Sequence, residues 1–207
     1  MKNRKGILIV LSGPSGAGKG TVLRKILEKR NDIELSVSYT TRSPRSGEIN
    51  GKDYNFVSKD VFNKIVEQNQ MLEYACYCEN YYGTPRFEVE KSLDRGKSVV
   101  LEIEVQGAEQ VIKKCPDALS IFIVPPSLSE LRNRLLNRAS ESEEIIEKRI
   151  IEAKKEISLS EHYKYIVVNN DSDSCAEDIS KIIDAEYMKS SKMSYIIKEV
   201  LEKWKNY

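Results

Sequence analysis

Gly13-Pro14-Ser15-Gly16-Ala17-Gly18-Lys19-Gly20-Thr21 follows the apolar run Ile7-Leu8-Ile9-Val10-Leu11 and opens an amphipathic stretch carrying Val22, Leu23, Ile26 and Leu27. The order reads strand, glycine-rich turn, helix, the context in which a phosphate-binding loop works. Glycines let backbone N–H groups turn inward around an anion with no Cβ in the way. The helix that follows aims its unpaired N–H groups and positive dipole end at the same point. Lys19 adds a mobile cation able to follow β- and γ-phosphates. The pattern Gly-x4-Gly-Lys then asks for Ser or Thr, but Gly20 stands there and the hydroxyl comes one residue later, at Thr21. Thr21 can still meet a phosphate oxygen, whereas a direct bond from it to Mg²⁺ is less secure.

Outward from this loop, 207 residues suggest one domain, or one with inserted lobes. Lys and Arg number 33 against 32 Asp and Glu, a net charge of +1 that leaves no overall basic field for nucleic acid or an anionic membrane. Anion binding must be local. Met1-Lys2-Asn3-Arg4-Lys5 resembles the start of a signal peptide, but the apolar run behind it is too short and leads into the loop. No stretch approaches the roughly 20 apolar residues of a membrane helix. The expectation is a cytoplasmic protein without membrane contact. Cys76, Cys78, Cys115 and Cys175 have one histidine, His162, for company, so reduced structural thiols are expected rather than zinc.

Runs starting near residues 6, 33, 98, 119 and 164 read as strands, mostly separated by helices. That alternation predicts α/β architecture, a parallel sheet with helices on both faces. Within it, Ser98 to Val105 reads as one strand, Glu79 to Gly83 as a turn, and 39 to 52 as a loop. Thr84 reads as the cap of a helix with Pro85 at its first position. Residues 39 to 94 form an inserted lobe, and 127 to 160 a charged helical lobe. The latter starts from the capping box Ser127-Leu128-Ser129-Glu130, with Leu128, Leu131 and Leu135 as its packing stripe. Met193 to Trp204 is a last amphipathic helix that covers the core or a neighbouring subunit.

Several constellations suit anion chemistry. Arg42 and Arg45 share a loop with Ser38, Tyr39, Thr40 and Thr41; guanidinium forks bind phosphate oxygens, though a basic loop also serves as solvated surface. Arg134 and Arg138 are four apart on one helix face, followed by Arg149. They would clamp an anion, or pair with Glu130 and Glu141. Glu102 and Glu104, two apart on the expected strand, face one side and need Mg²⁺ with its waters, the donors of a base, or open solvent. Glu73 and the tyrosines Tyr54, Tyr81 and Tyr82 say little alone.

The phosphate loop, Ser38-Tyr39-Thr40-Thr41-Arg42-Ser43-Pro44-Arg45-Ser46-Gly47-Glu48, Gly51-Lys52-Asp53-Tyr54, Asn80-Tyr81-Tyr82-Gly83-Thr84, Leu101-Glu102-Ile103-Glu104-Val105-Gln106-Gly107, Pro125-Pro126-Ser127 and Val168-Asn169 together resemble guanylate kinase over residues 6 to 188. The resemblance implies a P-loop NTPase-type five-stranded parallel sheet. Its core would be 1–37, 95–126 and 161–190, with a GMP-binding lobe at 38–94, a lid at 127–160 and a C-terminal helix at 191–207 outside the family pattern. It implies transfer of the γ-phosphoryl of ATP to GMP and dGMP, with Mg²⁺ as cofactor. Lys19, Arg42, Arg134, Arg138 and Arg149 become the catalytic set. The loop from Gly13 to Thr21, with Asn169, becomes the ATP site. Ser38, Arg42, Arg45, Glu48, Tyr54, Glu73, Tyr82, Thr84 and Glu104 become the GMP site.

Glu73 suits guanine on physical grounds. A carboxylate only accepts hydrogen bonds, guanine offers N1–H and a 2-amino group side by side, and adenine offers neither. With Gly20 after Lys19, Mg²⁺ would be held by ATP phosphates and water, Glu102 meeting that shell from across the cleft. The chain departs from the family at Glu104, where Asp is frequent, at Tyr39, where smaller residues are common, and at Arg138-Ala139-Ser140, which lacks the expected glycine and so stiffens the lid turn. Two other readings are a kinase for another monophosphate, such as AMP or dTMP, and a guanylate-kinase-like binding module without catalysis. The oligomeric state, monomer or homodimer, stays open.

Overall fold

The computed structural model describes residues 5–77, 79–137 and 142–204. In chain order these form β1 (Leu8–Ser12), α1 (Lys19–Lys29), β2 (Ile33–Leu35), β3 (Tyr39–Thr40), β4 (Asn55–Phe56), α2 (Lys59–Glu67), β5 (Met71–Tyr77), β6 (Asn80–Pro85), α3 (Arg86–Asp94) and β7 (Ser98–Glu102). Then follow α4 (Val105–Lys114), β8 (Leu119–Val124), α5 (Leu128–Leu136), α6 (Glu143–Ser158), β9 (Tyr165–Val168), α7 (Ser172–Tyr187) and α8 (Ser194–Trp204).

The main sheet is five-stranded and parallel, in the order β2-β7-β1-β8-β9. The central strand is Leu-Ile-Val-Leu-Ser, a near-continuous apolar run, as a strand covered on both faces requires. Its side chains alternate between two cores. Ile9 and Leu11 pack with α1 and α7 through Val22, Ile26, Ile179 and Ile183. Val10 faces Val89, Leu93, Leu101, Val111 and Phe122, so α3 and α4 close the opposite face. On the first face Lys25 Nζ meets Asp173 at 2.6 Å and Arg30 meets Asp184 at 2.7 Å, tying α1 to α7.

A second sheet, in the order β4-β3-β6-β5, is mixed: β3 runs parallel to β4, and β6 antiparallel to β3 and β5. Phe62 of α2 is fully buried against it, stacked on Tyr81 at 5.5 Å. Helices α5 and α6 form a small separate cluster from Leu131, Leu135, Ile146, Ile150 and Ala153. The Ser127 cap forms as its sequence predicts, its Oγ accepting from Glu130 N at 3.0 Å.

Several local expectations are corrected. β7 ends at Glu102 and Glu104 is the N-cap of α4, so the two acids are not same-face residues of one strand. The strand stops because its neighbour does: Leu11↔Glu102 is the last register pair before β1 turns into the phosphate loop. Asn80–Gly83 is strand rather than turn, and Thr84 lies in β6, with Pro85 as the cap of α3. Tyr39 and Thr40, expected in a loop, form β3. Leu128 is exposed, leaving Leu131 and Leu135 as the stripe of α5. Helix α8 buries no residue, and Ile197, Val200, Leu201 and Trp204 face outward. Cys76, Cys115 and Cys175 are free thiols, while Cys78 lies outside the described residues. Among the described residues no helix is long and apolar enough to cross a membrane.

Candidate active site

The glycine-rich turn runs from the end of β1 into α1. Gly18, the N-cap of α1, has φ +90°, a left-handed conformation that side chains disfavour. A Cβ there would also stand 2.5 Å from Asn169 Nδ2. That amide is buried and donates to Ala17 O at 2.7 Å. Asn169 O in turn accepts from Arg134 Nη2 at 3.0 Å, while Arg134 Nε donates to Glu130 at 2.9 Å. The loop is therefore braced from behind by the end of β9 and by α5. Lys19 Nζ donates to Gly13 O at 2.5 Å and Pro14 O at 3.3 Å, folding the cation over the turn.

A cavity of about 990 Å³ opens beside the loop. Seven of the residues singled out from sequence line it: Lys19, Ser38, Tyr54, Glu73, Tyr82, Glu102 and Glu104. Glu73 sits in its wall, 5% exposed, and accepts from Thr84 Oγ1 at 2.7 Å. Burial pushes its carboxyl above the ordinary range, and the Thr84 hydrogen bond and the charge of Lys114 act against that rise. The strands set this geometry directly, because Glu73 and Thr84 are register partners of β5 and β6.

The arginine loop has its own order. Arg42 Nη1 and Nη2 each reach a Glu48 carboxylate oxygen at 2.9 Å, and Arg45 N donates to the same group at 2.7 Å. The Arg42 hydrogen bonds hold Glu48 at about 2, and Glu48 in turn raises the guanidinium. The guanidinium lies 5.5 Å from the centre of the Tyr54 ring, which meets the Tyr82 ring edge-on at 5.9 Å. Arg45 is exposed.

Glu102 lies across from the loop. A Cβ on Gly20 would stand 3.5 Å from its Oε1. It is open to cavity water, yet the concave walls penalise its charge: burial raises its pKa, Lys19 opposes the rise and Glu104 adds to it. Arg149 is half-buried on α6, and Arg138 lies outside the described residues.

Three participants, Gln110, Lys114 and Glu156, escaped sequence reading, and a fourth, Gly107, stood in a motif without a stated role. Gly107 admits Glu73, since a Cβ there would come within 2.8 Å of Glu73 Oε2. Gln110 stitches α4 to β5, its amide donating to Tyr74 O at 2.9 Å and accepting from Tyr74 N at 3.2 Å. Lys114 Nζ donates to Leu72 O at 2.9 Å. Glu156 of α6 lines the cavity, and burial, then Glu104, pushes it up to about 7. A hydrophobic-face reading of α4 and α6 passes over such polar residues; only the Gln106-Gly107 pair stood inside a recognised motif.

A strand that feeds a glycine-rich turn and a helix bearing Lys19, beside a charged cleft on a parallel sheet, defines a P-loop NTPase fold of the kinase type. The family model described as guanylate kinase matches residues 5–186. A guanylate kinase from Lactococcus lactis is 50% identical over 200 residues, covering 97% of this chain and 94% of the relative, and one from Oceanobacillus iheyensis is 46% identical over 98% of both. The crystal structure of guanylate kinase from Anaplasma phagocytophilum superimposes with a TM-score of 0.73 at 39% identity, covering 93% of this chain and 92% of that one. The chain belongs to the guanylate kinase family, whose members are nucleoside monophosphate kinases.

Proposed function

We propose that the protein transfers the γ-phosphoryl of ATP to GMP and dGMP, yielding ADP with GDP or dGDP respectively, with the phosphate loop as donor site and the cavity under the second sheet as acceptor site. The observation that carries the base assignment is Glu73, a buried acceptor with one oxygen committed to Thr84 and the other facing Gly107. The N1–H and 2-amino group of guanine meet such an acceptor; adenine would leave it unpaired in a buried site. Ser38, Thr84 and Glu104 complete the base pocket.

The GMP phosphate goes to Arg42, Arg45, Ser38, Tyr54 and Tyr82. Glu48 presents Arg42 by fixing its fork, so Glu48 is a positioning residue. Gly13 to Thr21 wrap the ATP phosphates with backbone N–H groups and Lys19, while Asn169 keeps the loop in shape and lies beside the adenine end. The acceptor oxygen is already anionic, so no strong general base is needed; the protein aligns two anions and screens their repulsion. Closure of the α5–α6 lid brings Arg134, Arg138 and Arg149 to the migrating phosphoryl and excludes water.

Among the described residues no group of three or more acidic, histidine or cysteine side chains forms a metal cage. A Mg²⁺ ion would be carried on the nucleotide, with Glu102, across from Gly20, placed to meet its water shell. When bound, the ion neutralises charge on the β- and γ-oxygens. An ADP-release assay over GMP, dGMP, AMP and dTMP tests the reading. GMP should exceed AMP in kcat/KM by about 10⁴-fold or more, and AMP or dTMP turning over better than GMP would overturn the base assignment.

A further inference from the structure

Strand β5 is at the edge of the second sheet, and among the described residues no strand lies along its outer side. Such an edge leaves backbone N–H and C=O groups without ladder partners. Here a helix supplies them. The Gln110 side chain of α4 donates to Tyr74 O at 2.9 Å and accepts from Tyr74 N at 3.2 Å, as the backbone of a neighbouring strand would. One turn further, Lys114 Nζ donates to Leu72 O at 2.9 Å and to Met71 O at 3.1 Å. The two clamps fall on either side of Glu73.

This stretch of β5 is irregular. Its pairing with β6 slips between Met71 and Glu73, so Leu72 is the additional residue of a β-bulge. Regular pleating sends successive side chains to opposite faces, yet Met71, Leu72 and Glu73 are buried one after another. Leu72 enters the core that holds Val105, Ala108 and Val111 of α4, and Glu73 Oε2 lies within 2.8 Å of where a Cβ on Gly107 would stand. Two consecutive side chains therefore turn toward one helix. Gly107, Gln110 and Lys114 follow one another at spacings of three and four residues, on one face of that helix. Burial raises the Glu73 carboxyl, and the charge of Lys114 opposes that rise after the Thr84 hydrogen bond. Neither Gln110 nor Lys114 lines the cavity, so both act through Glu73.

We propose that Gln110 and Lys114 are positioning residues for base selection: they stand in for a missing strand along β5 and hold the Leu72 bulge in the form that aims Glu73 into the cavity. This rests on the reading that Glu73 meets guanine.

Steady-state kinetics with GMP and with inosine monophosphate, which lacks only the 2-amino group, test it in Gln110→Leu, Lys114→Met and Lys114→Arg, with thermal melting to follow the fold. The readout is the ratio of kcat/KM for the two acceptors. Gln110→Leu and Lys114→Met should each cut the GMP advantage about three- to tenfold, chiefly through KM for GMP, and leave KM for ATP within about twofold of wild type. Lys114→Arg keeps charge and donors and should keep the ratio. Lys114→Met alters a solvent-facing side chain and carries the test if Gln110→Leu misfolds. A merely structural role would lower both acceptors alike, so equal losses or an unchanged ratio would overturn the proposal. A wild-type protein that uses both acceptors equally would overturn the assignment of Glu73 to guanine and this inference together. A wild type that favours GMP, with variants that keep its ratio, overturns this inference alone.

Discussion

The two ends of the cleft are made differently. At the proposed phosphate end the contact groups are main-chain N–H groups from one continuous stretch, Gly13 to Thr21 with Pro14 excepted, braced by the buried amide of Asn169. At the proposed base end they are side chains gathered from Ser38, Glu73, Thr84 and Glu104, on four separate segments, and shaped by Gly107 of α4, the helix that Glu104 caps. Phosphate is one invariant tetrahedral anion that a backbone nest can hold. A base edge must be told from its relatives, which needs side-chain acceptors held without freedom. The backbone-made end is general, and the side-chain-made end is particular.

Substitutions at each end should separate the two. The largest effect is expected from Lys19→Ala, with kcat reduced by about 10³-fold and GMP affinity unchanged, read by steady-state kinetics and a GMP titration. A matching loss of GMP affinity would mean that the ends are not independent. A smaller, opposite break comes from Gly107→Ala, whose added Cβ would stand 2.8 Å from Glu73 Oε2. Displacing that carboxylate should lower kcat/KM for GMP by about 10²-fold and leave KM for ATP alone.

The smallest effect concerns Glu156, which faces the cleft from α6. Its folded pKa, about 7, lies above its ordinary 4.5, so in that window the folded state retains a proton that the unfolded chain has lost. The stability it contributes is complete below 4.5 and is lost as pH rises to 7. Glu156→Gln should therefore melt with wild type at acid pH and slightly above it beyond neutrality. Melting curves that stay parallel across the whole range would remove Glu156 from the pH response.

The same contrast governs what sequence reveals. The phosphate loop is local, so its turn, its helix and the strand before it are legible from consecutive residues, as is the Ser127 cap. That five strands make a parallel sheet follows from their alternation with helices. The base pocket is not local. Glu73 meets Thr84 only through the β5–β6 register, and no spacing rule announces that Gly107 leaves room for a carboxylate from another segment. Ser98 to Val105 reads as one strand because Ile103 and Val105 favour extended backbone. It ends early because the neighbouring strand stops pairing at Leu11, a fact of topology rather than propensity. Arg134 was legible as a cation, but not as a brace that commits its Nε donor to Glu130 and one Nη2 donor to Asn169 O.

The place of β1 in the sheet also bears on how the chain is born. It is the central strand and leaves the ribosome first, yet Ile9 pairs with Val100 on one side and Leu119 on the other. Until both partners have been synthesised, its apolar run has two open edges and no core to enter. Such long-range pairing makes folding slow and leaves the nascent chain prone to wrong contacts. Truncation before β8 should therefore give a fragment that chaperones hold rather than a smaller folded unit.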